Sequence, residues 1–381
     1  MGDDQMSIEG YATDEGTARY RDRLAGDGAA VVEHFRHEQD LWLSSVGVGT
    51  YLGQWDEETD RRYSEAIRRA VALGANVIDT AANYRFQRSE RAIGAALAKM
   101  IGEGAARRDE LVVCTKGGYL PFDAEPPRGQ AAVRAYVEET FVREGVLEFS
   151  DIVAGSHCMT PRYLANQIDQ SLRNMAVAAV DVYYIHNPET QLGVVPREEF
   201  ERRLRAAFGQ LERSVAEGKI RAYGVATWQG FRVAPDAKNY HSLERMTEIA
   251  REAGGDNHHF RFAQLPFNLA MPEALTLDSQ PFRGAHVSLL EAARALGVTV
   301  VASASIMQGK VARDLPEAIR EPLGSLASDA LTAIQFVRST PGVTTALVGM
   351  SRTSHVEENL QLARVEPARA EDYQRLFSQG A

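Results

Sequence analysis

The sequence predicts an α/β protein built on a single (β/α)8 barrel. Eight short runs rich in apolar and β-branched residues recur along its 381 residues, and longer segments with apolar residues at helical spacing separate them. Most of the eight runs are apolar on both faces, as strands of a parallel sheet buried between a core and surrounding helices should be. Eight consecutive βα units favour a closed barrel over an open sheet.

The eight predicted strands are short apolar runs that end in polar or glycine-containing turns. In chain order they are LWLSSVGVGTYL from Leu41, NVIDTA from Asn76, LVVCTKGG from Leu111, VDVYYIHNP from Val180, IRAYGVATW from Ile220, FRFAQLPFNL from Phe260, VTVVASASIM from Val298 and TTALVGM from Thr344. The segments between them carry an apolar stripe and a charged remainder, which is typical of helices that cover a sheet. They include DEETDRRYSEAIRRAVALG, TPRYLANQIDQSLRNM, REEFERRLRAAFGQLERSVAEGK and HSLERMTEIAREAG.

Residues with known preferences for helix ends support this division. Thr160 is a favourable N-cap, and Pro161 follows at the first helical position, where the missing N–H of proline has no cost. Gly218 and Gly297 lie where a helix C-terminus favours a left-handed residue. The glycines of GVGTYLG, from Gly47, are interpreted as small packing residues of the first strand, because the G-x-G-x-x-G spacing of a dinucleotide loop is absent.

Two segments fall outside the repeat. Residues 1–38 form a charged N-terminal extension, and an insertion at about 119–150 follows the third strand, with a helix expected around Ala132 to Arg143. We therefore predict one barrel domain over 39–365 and a C-terminal tail over 366–381. Long loops in compact barrels are often lids or partner surfaces, and a plain surface excursion is an equal alternative for this insertion.

Composition and spacing exclude several classes of function. The net charge of −10, without a clustered basic surface, argues against nucleic acid as a partner. No apolar run approaches the roughly 18 residues of a membrane span, and the N-terminus lacks a signal-peptide pattern, so we expect a cytoplasmic protein without membrane contact. Neither His157 with Cys158 nor His258 with His259 has the spacing of a zinc site, and we expect no metal. The oligomeric state is left open.

Polar side chains close three successive predicted strands. Asp79 ends the second strand and Tyr84 follows it, Lys116 ends the third, and His186 ends the fourth. Function in a (β/α)8 barrel sits at the carboxyl ends of the strands, so these four side chains are expected to converge at the barrel mouth. Each alone has an ordinary explanation, such as a helix cap or a turn residue. Together they predict a catalytic site.

These motifs resemble the aldo-keto reductase family. VIDTAANY is similar to its Asp and Tyr segment, VVCTKGG to its Lys segment, QSLRNMAVAAVDVYYIHNPE to its helix and His strand, and GVTTALVGMSRTSHVEENL to its last cofactor-binding strand and helix. The resemblance implies a carbonyl or alcohol oxidoreductase that uses NADP(H), with NAD(H) possible. It further implies that Tyr84 is the proton donor, that Lys116 and Asp79 tune it, and that His186 orients the substrate carbonyl.

Elementary chemistry is consistent with these roles. Reducing a carbonyl requires a hydride and a proton, and since no side chain supplies hydride, a nicotinamide must. A free tyrosine has a pKa near ~10, and a neighbouring ammonium such as Lys116 is expected to lower the pKa of Tyr84 towards the working pH. Asp79 would keep the partly buried ammonium charged. A neutral His186 could donate a hydrogen bond to the carbonyl oxygen.

Candidate cofactor contacts lie near the ends of later strands. Gly349 and Ser351 precede a predicted helix whose N–H groups could face a phosphate, and the Arg352 guanidinium could pair with a 2′-phosphate, which favours NADPH. The resemblance implies that Thr227 and Gln264 hold the nicotinamide amide. It also implies that Glu358 and Asn359 hold the adenine, although an exposed helix face is an equal reading. Ser303 occupies the position where relatives carry an aromatic residue that stacks on the nicotinamide.

The substrate pocket is the least defined part of the prediction. Four of its candidate residues follow the ends of predicted strands, and His157 follows the insertion, near the end of the third strand. The candidates are Trp55, Tyr119, His157, Asn187 and Trp228. The polar loop residues, which include Asn83, Arg85, Glu189 and Gln229, lean towards a hydroxylated, sugar-like small molecule. Two alternatives remain: a nicotinamide-binding sensor or regulatory subunit with little turnover, and a cofactor-free hydrolase or isomerase.

Overall fold

A computed structural model describes residues 7–378 of the chain. Its strands are β1 (Phe35–Glu38), β2 (Leu41–Ser44), β3 (Val46–Gly49), β4 (Val77–Asp79), β5 (Val112–Gly117), β6 (Val180–His186), β7 (Ile220–Ala226), β8 (Phe260–Pro266), β9 (Gln280–Phe282), β10 (Ala285–Val287), β11 (Thr299–Ser303) and β12 (Val343–Gly349). Eight of them form a closed barrel in the order β3, β4, β5, β6, β7, β8, β11, β12, with parallel neighbours throughout. The predicted (β/α)8 fold is confirmed.

The helices follow the strands and surround the barrel. They are α1 (Asp14–Gly26), α2 (Glu57–Ala72), α3 (Arg88–Gly102), α4 (Gln130–Val137), α5 (Pro161–Met175), α6 (Glu189–Leu192), α7 (Arg197–Ala216), α8 (Leu243–Gly254), α9 (Glu273–Thr276), α10 (Leu289–Leu296), α11 (Glu317–Arg320), α12 (Asp329–Ser339), α13 (Thr353–Asn359) and α14 (Ala370–Ser378). The expected ends are seen at α5, where Thr160 is the N-cap and Pro161 the first residue, and at α10, where Gly297 is left-handed. Within the described residues, no helix is long and apolar enough to cross a membrane.

The first predicted strand is divided in the structure. Its beginning, β2, pairs antiparallel with β1 in a hairpin, and only β3 belongs to the barrel. The chain leaves the hairpin at Ser44 and Ser45, because the Ser44 N–H donates to the Asn76 side chain (2.8 Å) and the Ser45 N–H donates to the His34 carbonyl (2.7 Å). Gly47 packs as expected, since a Cβ atom there would lie 2.9 Å from the Leu347 side chain.

The N-terminal segment closes the bottom of the barrel, where the strands begin. The Ala12 N–H donates to Asp181 Oδ1 (2.6 Å), and Asp181 lies at the start of β6. The other carboxylate oxygen of Asp181 accepts from Arg108 (2.9 Å) and from the Val113 N–H (2.7 Å). Helix α1 is joined to β2 because the Trp42 N–H donates to the Thr17 hydroxyl (3.0 Å). The bottom is therefore sealed by hydrogen-bonded polar groups.

The insertion after β5 forms its own small helical unit. Helix α4 continues into a π-helical turn at Glu138–Val142, in the region where the sequence predicts a helix. An apolar cluster separate from the barrel core lies beneath it. The buried members of this cluster are Leu120, Val137, Phe141, Val146, Leu147, Cys158 and Tyr163.

Candidate active site

A cavity of about 740 Å³ opens at the carboxyl ends of the barrel strands. Its volume falls in the range of small-molecule and cofactor sites. Most of the predicted site residues line it: Asp79, Tyr84, Tyr119, His186, Asn187, Thr227, Trp228, Gln264, Ser303, Gly349, Ser351, Glu358 and Asn359. Four predicted residues do not line it, namely Lys116, Trp55, His157 and Arg352. The strand-end residues thus line the same cavity as residues of α13.

A buried ion pair lies at the floor of this cavity. The Lys116 ammonium donates to Asp79 Oδ1 (2.5 Å) and to the Thr80 carbonyl (2.7 Å), and Gln264 donates to Asp79 Oδ2 (2.9 Å). Burial alone would lower the pKa of Lys116, but the adjacent Asp79 carboxylate outweighs burial and raises that pKa. Lys116 is therefore an ammonium at neutral pH, held in place from β4 and β8.

Tyr84 lies beside this ammonium. Its ring centre is 5.1 Å from Lys116 Nζ, and the residue is partly exposed to the cavity. Burial raises the pKa of Tyr84, and the Lys116 ammonium acts in the opposite direction without overcoming it. Lys116 thus acts on the pKa of Tyr84 in the expected direction, but the pKa stays above its ordinary value in the protein because desolvation of the phenolate is the larger effect. The phenol is protonated at neutral pH.

His186 faces Tyr84 from the end of β6. Its ring contacts the rings of Tyr84 and Tyr119 edge-on, with centroids 5.8 and 5.1 Å apart. Burial, together with the nearby Lys116 charge, lowers the pKa of His186 well below its usual range, so the imidazole is neutral as predicted. Its Nδ1 atom is buried and has no hydrogen-bond partner among residues 7–378.

His157 lies behind this site and does not line the cavity. Arg203 donates to the Gln191 side-chain oxygen (2.8 Å), which turns the Gln191 amide nitrogen towards His157 Nδ1 (2.9 Å). The remaining nitrogen, Nε2, therefore carries the proton and donates to the His186 carbonyl (2.8 Å). Burial lowers the pKa of His157 to about 4. The prediction that His157 lines the pocket is wrong, since its ring is occupied in holding the backbone of His186.

Trp55 is also outside the cavity. It is exposed on the loop after β3, where its ring packs against Phe86 with centroids 5.2 Å apart. Tyr51, on the same loop, lines the cavity instead, and its ring lies 5.0 Å from that of Tyr84. Because Trp55 and Tyr51 are four residues apart in an irregular loop, the sequence has no periodicity from which to choose between them.

The loops after β6 and β7 are tied together by a buried carboxylate. Glu189 Oε1 accepts hydrogen bonds from the Thr227 hydroxyl (3.0 Å) and from the N–H groups of Trp228 (2.7 Å) and Gln229 (3.0 Å). Burial opposes ionisation of this carboxyl, but His241, 3.7 Å away, and the backbone donors lower the pKa of Glu189 to about 2. Glu189 therefore shapes the Trp228 loop, and its carboxylate is directed to protein groups rather than to a substrate as the sequence suggested.

The far end of the cavity is formed by the segment after β12. Gly349, Ser351 and Asn359 line it, and Glu358 lines it while accepting a hydrogen bond from Ser328 (2.8 Å). Arg352 is the exposed N-cap residue of α13 and points no group into the cavity lining. This end of the cavity therefore carries polar side chains from the segment that follows β12.

Comparison with known proteins decides the family. The family model described as Aldo/keto reductase family matches residues 45–378, which is most of the chain. The chain belongs to the aldo-keto reductase family. This confirms the resemblance on which the predicted roles of Asp79, Tyr84, Lys116 and His186 depend.

Individual relatives of this aldo-keto reductase are distant. It is 24% identical over 320 residues to a D-threo-aldose 1-dehydrogenase of a Pseudomonas species, with 79% of this chain and 82% of that protein covered. It is 23% identical over 344 residues to a 6-dehydroglucose reductase of Novosphingobium aromaticivorans, covering 87% and 90%. The match to an NADH-specific methylglyoxal reductase of Escherichia coli, at 27% identity, spans only 49% of each chain.

Solved structures share the fold. An aldo/keto reductase from Klebsiella pneumoniae in complex with NADP and acetate has a TM-score of 0.59 and 20% identity, with 91% of this chain and 95% of that chain covered. A glycerol dehydrogenase from Gluconobacter oxydans has a TM-score of 0.61 and 20% identity over the same shares.

Sequence reasoning missed several residues of the aldo-keto reductase cavity. Arg313, His355, Tyr51 and Leu52 also line it. Arg313 lies in the irregular segment after β11, where no strand end or motif marks it. Tyr51 and Leu52 follow the end of β3 closely, and this position at a strand end is the signal that could have found them.

Proposed function

We propose that this aldo-keto reductase transfers a hydride between NADP(H) and a carbonyl or alcohol, with Tyr84 as the general acid and base. The observation that carries the proposal is the convergence of Asp79, Lys116, Tyr84 and His186 at one end of the cavity. Four side chains from three successive strand ends meet there. A pure binding protein has no need of a buried Asp79–Lys116 pair next to a tyrosine.

The proposed mechanism assigns one task to each side chain. A bound nicotinamide would supply or accept the hydride. Tyr84, protonated at neutral pH, would donate its proton to the carbonyl oxygen, and the Lys116 ammonium would stabilise the phenolate that results. Asp79 keeps Lys116 charged in its buried position. The neutral His186 imidazole would donate a hydrogen bond to the carbonyl oxygen. Because the His186 ring contacts the Tyr84 ring, this bond would orient the carbonyl beside the Tyr84 hydroxyl.

NADP(H) is the cofactor that fits best. The cavity is continuous from Asp79 and Tyr84 to Ser351 and Asn359, as a nicotinamide at one end and an adenine at the other require. The Klebsiella structures of the same fold contain NADP and NADPH, and the Escherichia coli relative named as NADH-specific leaves NAD(H) open. Gln264 already donates to Asp79, so it would hold the nicotinamide amide through its carbonyl oxygen.

A hydroxylated, ring-shaped substrate is the class that the near end of the cavity supports. Tyr51 and Trp228 present exposed aromatic faces at its entrance. The Asn187 amide and the Tyr119 hydroxyl, 3.2 Å apart, offer polar partners on the wall behind them. Two relatives with extensive coverage are named for sugar substrates, an aldose and 6-dehydroglucose. This combination suits a sugar that stacks one face on an aromatic ring.

The test combines binding with turnover. NADPH is titrated by fluorescence, and its absorbance is then followed with a panel of aldehydes, ketones and sugars, in parallel with NADH. We expect NADPH binding and its oxidation with at least one hydroxylated carbonyl. Binding without oxidation on any substrate would favour the alternative of a nicotinamide sensor, for which Ser303 in place of a stacking aromatic ring is the motivating residue. No binding of either cofactor would overturn both.

A further inference from the structure

The turn that follows Tyr84 has an unfavourable backbone conformation. Arg85, Phe86 and Gln87 have φ values of 48°, 56° and 70°, all in the left-handed region. Residues other than glycine enter this region as single residues, because their Cβ approaches the following carbonyl oxygen. Glycine would adopt it without that clash. Three consecutive non-glycine residues therefore keep a strained turn directly beside the proposed proton donor.

Arg85 anchors this turn to the first loop of the mouth. Its side chain is 1% exposed, and it donates from Nε to the Gln54 carbonyl (2.7 Å) and from Nη2 to Asp60 (2.5 Å). Its Nη1 atom is buried and has no hydrogen-bond partner among the described residues. A buried donor left without a partner is unfavourable, so the arrangement is not one that stability alone would select.

Gln87 anchors the same turn on the opposite side. Its amide nitrogen donates to the Phe122 carbonyl in the insertion (3.1 Å), and its amide oxygen accepts from Asn174 in α5 (3.0 Å). The side chains that make the turn strained are thus the ones that tie it to both sides of the cavity. Glycine would remove the strain and both sets of contacts.

Tyr84 is held between these two anchors. The loop that Arg85 contacts also carries Tyr51, whose ring packs edge-on against the ring of Tyr84. That loop is fixed a second time, since the Tyr63 hydroxyl donates to the Leu52 carbonyl (2.6 Å). Any relaxation of the turn would therefore move the Tyr84 hydroxyl relative to Lys116 and His186.

We propose that Arg85 and Gln87 are positioning residues that hold the Tyr84 hydroxyl in its proton-transfer geometry by keeping the turn in its left-handed conformation. The proposal rests on the proposed role of Tyr84 as proton donor. Displacement of a reacting group by about 1 Å can reduce a rate on the order of 100-fold, even when the rest of the protein is unchanged. Positioning explains why the chain retains Arg85 and Gln87, two of the three left-handed residues of this turn, where glycine would fit.

The test replaces each anchor by the residue that relieves the strain. We expect Arg85→Gly and Gln87→Gly to lower kcat by about 10- to 100-fold while the KM for NADPH changes less than about threefold. Asp40→Gly is the matched control, because Asp40 is also left-handed (φ 55°) but is exposed in the β1–β2 turn at the opposite end of the barrel. Asp40→Gly should leave kcat unchanged. Equal kcat in wild type, Arg85→Gly and Gln87→Gly would overturn the proposal.

A second readout does not depend on turnover. The protein is labelled with 3-fluorotyrosine, and the Tyr84 resonance is assigned as the signal lost in Tyr84→Phe. We expect Arg85→Gly and Gln87→Gly to shift or broaden this resonance, and Asp40→Gly to leave it in place. An unmoved resonance would overturn the positioning role even if no carbonyl were reduced. If Arg85→Gly does not fold, Arg85→Lys retains the charge but lacks the planar fork that reaches both acceptors, and the same outcomes apply.

Discussion

Buried polar groups have different surroundings at the two ends of the barrel. At the bottom, both carboxylate oxygens of Asp181 are used, by Ala12 on one side and by Arg108 and Val113 on the other. At the mouth, His186 Nδ1 and Thr80 Oγ1 are buried without hydrogen-bond partners among the described residues. Arg108 Nε at the bottom also lacks a partner among the described residues, but its guanidinium is paired with Asp181 in a closed network, whereas the mouth opens into a cavity lined by Tyr84 and His186. Stability and reactivity are separated along the barrel axis, as in other barrels of this type.

Tyr84→Phe is the strongest test of the reactive end. Removing the hydroxyl should lower kcat by about 10²- to 10⁴-fold, because the proton transfer loses its donor while the ring and its packing remain. The midpoint of thermal unfolding should stay within a degree or two of wild type. Steady-state kinetics with NADPH and circular dichroism melting measure the two quantities. Unchanged kcat would show that the proton comes from elsewhere.

Asp181→Ala should lower the stability of the protein and leave kcat unchanged, which is the opposite of the result expected for Tyr84→Phe. It leaves Arg108 buried without its carboxylate partner, and removal of one partner from a buried ion pair costs about 3–5 kcal/mol of the free energy of unfolding. The value of kcat at a temperature where the variant is folded should match wild type, since the site lies at the other end of the barrel. Urea unfolding and steady-state kinetics test the two statements. A large loss of kcat in the folded variant would contradict the separation of the ends.

Acid should reduce stability through buried neutral histidines. The pKa of His157 is about 4 in the folded protein and near 6.5 when unfolded, so the unfolded chain binds more protons between these values. The contribution of neutral His157 to the free energy of unfolding is fully present above pH 6.5. It is lost as the pH falls towards 4, by about 3 kcal/mol in total. Urea unfolding at a series of pH values measures the slope.

His157→Gln separates the share of His157 in this pH dependence from that of the other buried neutral histidines. Burial lowers the pKa of His34 as well, well below its usual range, and this histidine is unchanged in the variant. We expect His157→Gln to remove roughly one proton from the pH dependence of stability and to leave the shares of His34 and His186. A slope equal to that of wild type would contradict the neutral state assigned to His157.

The smallest expected effect concerns the far end of the cavity. If Arg352 pairs with the 2′-phosphate, Arg352→Gln should raise the Kd for NADPH by about tenfold, or ~1.4 kcal/mol, and leave the Kd for NADH unchanged. Arg313→Gln is the comparison, because Arg313 lines the cavity and Arg352 does not. A loss of NADPH affinity in Arg313→Gln alone would assign the contact to Arg313.

The sequence predicted those parts of the protein that strand ends determine. Asp79, Lys116 and His186 each close an apolar strand, and parallel strands in a barrel bring such ends to one mouth, so their proximity followed from topology. The direction of the Tyr84 pKa did not follow, because it depends on how much water the folded loops exclude. Trp55 and His157 were misplaced for a related reason, since irregular loops carry no periodicity that shows which side chain points inward.

The insertion after β5 can accept substitutions during evolution without changes in the barrel core. Five of the seven buried members of its apolar cluster come from the insertion itself, so mutations there repack the insertion more than the barrel. The same segment contacts the Tyr84 turn through the Phe122 carbonyl, which accepts from Gln87, and through the Phe122 ring, whose centroid lies 6.3 Å from that of Phe86. The outer surface of the insertion can therefore diversify while Phe122 keeps its contacts with the turn that follows Tyr84.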